Sequence, residues 1–123
     1  MKFISPQIHG IIDYLVVLFL FVSPGFFHFA GLLSIFTYAL GAVHLLLTIL
    51  TNYPLGIIKV LPVSLHATVE LLVGIVLIVL AYTLFKTDQY GTIFYVIFGT
   101  VVLLTWLVTD YRGVTPYSRL SKS

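Results

Sequence analysis

Two histidine–carboxylate pairs stand out by type and spacing: His9 with Asp13, and His66 with Glu70. Residues four apart share one face of an α-helix, so each pair makes a single polar spot. Both pairs lie in long apolar runs. An ionisable side chain there is costly and marks either a functional site or a packing contact. Imidazole and carboxylate together suit zinc, manganese or iron. The same groups can also satisfy each other as polar glue between helices, with no ligand involved.

The elements that must carry these pairs follow from composition. Apolar residues make up 60% of the 123-residue chain and charged residues 8%, against about 25% charged in a soluble domain. A soluble unit this small could not hide that much apolar surface, so the expected solvent is a lipid bilayer. With no cysteine, disulfides, thiolate metal sites and cysteine nucleophiles are excluded. A net charge of +2 gives no footprint for nucleic acid.

Four apolar runs predict four membrane spans in one domain. The first runs from about Pro6 to Ser23, opened by Ser5 as N-cap and Pro6 at the first helical position, and closed by Pro24-Gly25. A cleaved signal peptide ending at Phe29-Ala30 is a poorer reading, because Asp13 interrupts the apolar core. Phe26 to Ala30 is an aromatic turn, and its His28 suits a membrane interface.

The second span covers about Gly31 to Asn52, with Ser34, Thr37, Tyr38, Gly41, His44, Thr48 and Thr51 as a polar stripe. Leu61-Pro62 opens the third, which reaches about Phe85 and aligns His66, Glu70, Gly74, Leu77 and Ala81. The fourth runs from about Tyr90 to Asp110, with a narrower stripe that includes Thr92, Tyr95, Gly99, Val102 and Thr109. The fold class expected is all-α: an integral membrane four-helix bundle.

The two halves of the chain align. His9 and Asp13 meet His66 and Glu70 at an offset of 57, and Thr51-Asn52-Tyr53 meets Thr109-Asp110-Tyr111 at an offset of 58. Two parallel two-helix repeats are therefore expected, at about 5–58 and 61–115. Lys2, Lys59, Arg112, Arg119 and Lys122 fall on one side of the membrane and only Lys86 on the other. The positive-inside rule then puts both termini in the cytoplasm.

In this arrangement both His–acid pairs lie near the cytoplasmic end, and His44 falls at about the depth of Asp13 and Glu70. Val102 occupies the counterpart of His44, so the symmetry is broken there. The candidate metal ligands are His9, Asp13, His44, His66 and Glu70. Asn52, Tyr53, Asp110 and Tyr111 are candidates for supporting contacts. The sequence leaves the cofactor open: a divalent ion is one that this donor set could hold. Haem between two of the histidines is a weaker fit, because the carboxylates compete for the imidazoles. No nucleophile elbow, phosphate loop or dinucleotide fingerprint is present, so the sequence offers no catalytic residues.

His9 and Asp13, an apolar run and then Ser23-Pro24-Gly25 resemble the small bacterial membrane proteins named for their SPW repeat, with Gly25 where the name has Trp. The end of the second span, Thr51-Asn52-Tyr53-Pro54, is similar too. The resemblance implies a four-span protein of the bacterial plasma membrane with no defined activity. The functional expectation is a cytoplasm-facing His/carboxylate pocket for a metal ion or small ligand. The alternative is an accessory or assembly subunit that docks on another membrane protein or on a second copy.

Overall fold

The computed structural model describes residues 3–111. Within them the fold is four α-helices and no strand: α1 (Pro6–Phe26), α2 (Gly31–Leu50), α3 (Val63–Tyr82) and α4 (Gly91–Val108). Their 18 to 21 residues rise about 27–31 Å, close to the roughly 30 Å of a bilayer's hydrocarbon. All four are long and apolar enough to cross a membrane. Leu15, Ile35, Leu72 and Ile93 are among many large apolar side chains left on the outer surface, as a lipid solvent requires.

Ser5 caps α1 as expected, with its side chain accepting from the Ile8 N–H at 3.3 Å and Pro6 at the helix start. The far end of α1 departs from expectation. Pro24 does not stop the helix, which continues to Phe26. Proline removes the N–H that would reach the Leu20 carbonyl, and only Gly25 and Phe26 follow before the helix stops. The Phe29 N–H then closes on the Pro24 carbonyl at 2.9 Å across His28, whose φ of 58° is left-handed. This is the geometry of a Schellman-type stop.

α1 packs on α2 and α3 on α4. At Gly99 an added Cβ would stand 3.0 Å from the Gly74 carbonyl, so the α3–α4 contact needs a residue without a side chain there. Between the hairpins, Leu20, Leu33, Leu77, Tyr95 and Phe98 form a common buried core. The Tyr95 hydroxyl donates to Thr37 Oγ1 at 2.6 Å, because the Thr37 hydrogen is committed to the Leu33 carbonyl at 2.8 Å.

At the end where α1 and α3 begin, short extended segments tie the hairpins together. The Asp110 N–H donates to the Ile4 carbonyl and the Asn52 N–H to the Leu61 carbonyl, both at 2.7 Å. The Ile4 N–H reaches Val108 at 3.0 Å, and the Leu61 N–H reaches Leu50 at 2.8 Å. These bonds satisfy carbonyls that the ends of α4 and α2 would otherwise leave unpaired. Lys2, Arg112, Arg119 and Lys122, on which most of the expected orientation rests, lie outside the described residues.

Candidate metal centre

Helical spacing turns His9 and Asp13 to the inner face of α1, alongside Val17 and Leu20, and His66 and Glu70 to the inner face of α3, alongside Gly74 and Leu77. The two faces meet. His9, Asp13, His66 and Glu70 are 1, 2, 0 and 6% exposed, so water does not screen the cluster. One ligating atom from each of the four can be chosen so that all lie within 4.8 Å of one another.

The contacts run both along each helix and across between them. His9 Nε2 stands 3.2 Å from Asp13 Oδ1 and 3.0 Å from Glu70 Oε1. His66 Nε2 stands 3.2 Å from Asp13 Oδ2 and 3.3 Å from Glu70 Oε1. Imidazole nitrogens and carboxylate oxygens thus alternate around a ring. His44 approaches from α2, with Nε2 3.4 Å from Asp13 Oδ1, which is its expected depth. It joins the edge of the cluster rather than the group of four.

Two threonines fix how the imidazoles are protonated. His9 Nδ1 lies 2.9 Å from Thr109 Oγ1, and His66 Nδ1 lies 2.7 Å from Thr51 Oγ1. Each threonine hydroxyl also sits 2.6 Å from the carbonyl four residues earlier, Thr105 or Leu47. A carbonyl has no proton to give, so the hydroxyl hydrogen is committed to it. The hydroxyl oxygen must then accept from the imidazole, and Nδ1 carries a hydrogen in both histidines. Each Nε2 is left to face the carboxylates. Nε2 of His66 and Nε2 of His44 are buried without a well-aligned hydrogen bond among the described residues.

Two tyrosines hold the carboxylates. The Tyr53 hydroxyl donates to Asp13 Oδ2 at 2.8 Å, and the Tyr111 hydroxyl donates to Glu70 Oε2 at 2.5 Å. Burial, and then the neighbouring carboxylate charge, push both phenols above their ordinary titration range: Asp13 beside Tyr53, and Glu70 beside Tyr111. Both are therefore fixed as donors. With Pro6, Asn52 and Lys59 they also border a cavity of about 220 Å³ at the loop end, between the cluster and the outside.

Of the candidate supporting residues, Tyr53 and Tyr111 touch the carboxylates. Asn52 is exposed, and Asp110 is buried with its backbone tied to Ile4. Sequence reasoning did not assign Thr51 and Thr109 to the site. The signal was present, since each opens one of the matched Thr-Asn/Asp-Tyr triplets.

Fold and site together define a small all-helical protein with four membrane-length helices and a buried His/carboxylate cluster. No family model, curated protein or solved structure matches the chain.

Proposed function

We propose that this is a small integral membrane protein whose cluster of His9, Asp13, His66 and Glu70 binds one divalent metal ion. The observation that carries the reading is the orientation of the imidazoles. With Nδ1–H of each histidine donated to a threonine, both Nε2 atoms point at carboxylates across 3.0–3.3 Å. Either each Nε2 holds a proton in that gap, or one cation serves all four groups. Ligands bound at 2.0–2.1 Å around a tetrahedral ion lie about 3.3–3.4 Å apart; the contacts around the ring are close to this, and one donor atom from each of the four residues lies within 4.8 Å of the others. Two neutral imidazoles and two carboxylates balance a dication, which matters in a low-dielectric bundle. The threonines and tyrosines supply the outer hydrogen bonds that orient metal ligands.

The donor set of nitrogen and oxygen, without sulfur, favours iron, manganese or zinc. An ion fits better than haem, because a macrocycle at either Nε2 would displace the carboxylates already within 3.3 Å of it. Ion entry is proposed from the loop end, past Tyr53 and Tyr111. The site does not suggest catalysis by protein side chains alone.

The chain is further read as a duplicated hairpin, with repeats at about 5–58 and 61–115 and a kinship with SPW-repeat proteins. This reading is supported by equivalent bonds at offsets of 57 or 58: Ile4 and Leu61 to the opposite helix ends, Thr109 and Thr51 to histidines, Tyr53 and Tyr111 to carboxylates. Cytoplasmic termini in a bacterial plasma membrane belong to the same proposal and rest on the basic residues.

Elemental analysis of protein purified without chelator, followed by titration with ferrous, manganous and zinc ions, tests the reading. One ion per chain is expected. Protein that arrives empty and takes up none of the three overturns it.

A further inference from the structure

The two hairpins leave a large cleft on the outer surface. α1 packs on α2 and α4 on α3, while α1 and α4 do not pack closely backbone to backbone. Between them lies a cavity of about 450 Å³ whose walls are almost all carbon. Its floor is aromatic: the rings of Phe19, Phe94 and Phe98 lie within 15° of parallel and make a flat strip. Phe98 is buried, whereas Phe19, Ile93 and Ile97 stand exposed at the rim, so the cleft opens sideways from the bundle. The strip is not a general property of this surface. At offsets of 57 and 58, Phe19 answers to Val76 and Phe98 to Leu40, and only Phe94 is matched, by Phe36.

Length and position define the occupant. The cleft is bounded from Val16 to Phe27 on the α1 side and from Tyr90 to Val101 on the α4 side, each about 16 Å of helix. That is half of the roughly 30 Å of a bilayer's hydrocarbon, so the cleft has the depth of one leaflet. It begins at the α1–α2 turn, at the opposite end of the bundle from the cluster. A partner helix fits it poorly. Helices in lipid approach one another through Gly, Ala, Ser or Thr, and none of these lines the cleft. An extended hydrocarbon chain needs only a narrow apolar trough. Tyr90 borders the cleft at the turn end and is 43% exposed. Its backbone N–H is held by Asp88, and its hydroxyl has no hydrogen-bond partner among the described residues. A tyrosine at a membrane interface keeps its ring in the apolar layer and its hydroxyl among the polar groups of the lipids.

We propose that the α1–α4 cleft is a lipid site: it holds one acyl chain of a phospholipid from the leaflet at the α1–α2 turn, and the Tyr90 hydroxyl donates to an ester carbonyl of that lipid. The site reads the chain and not the head group, because its walls carry no charge. This rests on the membrane reading and is independent of the metal.

The test reconstitutes the full chain in vesicles of dioleoyl phosphatidylcholine and, separately, of dioleoyl phosphatidylglycerol. Flotation with carbonate washing checks insertion. The protein is then released in mild detergent, and native mass spectrometry counts the lipids it retains. One phospholipid per chain is expected, retained equally well from either vesicle. Ile97→Trp fills the cleft from its exposed rim, and Phe19→Ala removes one wall. Each is expected to cut retention about tenfold. Ala39→Trp, at the position that matches Ile97 in the other hairpin, retains lipid as the parent does. A parent chain stripped of lipid, or parent-level retention in both Phe19→Ala and Ile97→Trp, overturns the site. Retention from phosphatidylglycerol alone overturns it in favour of a head-group site. A dimer that Ile97→Trp dissociates overturns it in favour of a second copy in the cleft, and a host isoprenoid that neither phospholipid displaces overturns it in favour of that lipid class. Protein that fails to insert overturns the membrane reading too, and flotation shows this before any lipid is counted.

Discussion

His9 on α1 is bonded to Glu70 on α3, with Nε2 3.0 Å from Oε1, although Asp13 stands one turn further along its own helix at 3.2 Å. The crossing makes the two pairs one site. Removing a single carboxylate should therefore disable the whole cluster. Asp13→Asn and Glu70→Gln keep shape and hydrogen bonding but remove one charge each. Either variant is expected to lose at least about tenfold in metal affinity, measured by competition with a chelating dye. Unchanged affinity in both variants would count against a shared ion.

The threonine locks give a finer prediction. Thr51→Val and Thr109→Val remove the acceptor for Nδ1–H while keeping the shape, so each imidazole can take the other tautomer and turn Nε2–H toward the carboxylates. Metal affinity should fall about 10–100-fold, and Thr51→Ser should restore most of it. A valine variant with unaltered affinity, together with a folded spectrum, would show that the hydroxyls only pack.

Much of this arrangement was legible in the sequence. The stripe of His66, Glu70, Gly74, Leu77 and Ala81 is the set that α3 buries, because a 3.6-residue period in a lipid-facing helix leaves polar and small residues only one direction to point. The Ser5-Pro6 start of α1 was legible for a local reason, since capping depends on adjacent residues. Pro24 was not, because the helix runs two residues past it and the stop depends on His28 taking a left-handed backbone. The roles of Thr51 and Thr109 were hidden as well. A threonine bonded to its own i−4 carbonyl is ordinary in an apolar helix. What makes these two special is a histidine from the other hairpin, and helix periodicity carries no information about that partner.

Metal uptake should release protons. If each Nε2 carries a proton while the cluster is empty, a divalent ion displaces about two protons per site. The change is read with an indicator dye in weakly buffered detergent solution, at a pH below 7. Release close to zero would show that the imidazoles are already neutral when the ion arrives.

The two tyrosines predict behaviour in alkali. Tyr53 and Tyr111 lie outside the helices, and burial with the nearby carboxylates raises both phenols above the ordinary value of 10.0. The folded state thus binds these protons more tightly than the unfolded chain. Their contribution to stability is fully present below about pH 10 and declines above it, as the unfolded state ionises. Absorbance near the phenolate band should show buried tyrosines, Tyr53 and Tyr111 among them, that titrate only together with unfolding. Tyr53→Phe should remove one of them, and its stability should fall less steeply above pH 10 than that of the parent. Smooth titration of all tyrosines in folded protein would contradict this.

Gly56 offers a test of how the connection supports the site. An added Cβ would stand 1.8 Å from the Thr51 carbonyl oxygen, too close for the backbone to remain in place. Gly56→Ala is expected to shift the segment that carries Thr51 and Tyr53, lowering metal affinity by about tenfold or more with helix content by circular dichroism nearly unchanged. Full affinity in this variant would mean that the loop's exact path is unimportant to the ligands.

The short bridges at the helix ends have a consequence for connectivity. Ile4 is joined to the residues that follow α4 just as Leu61 is joined to those that follow α2, so the first and last described residues are neighbours. A linker between them, with the chain opened in the α2–α3 connection beyond the turn that ends at Gly56, would leave all four helices and the His/carboxylate cluster in the same surroundings. Such a circular permutant should insert and fold. Among the described residues the four helices form in effect a closed loop, in which the α2–α3 connection and the junction of Ile4 with Thr109 hold equivalent places.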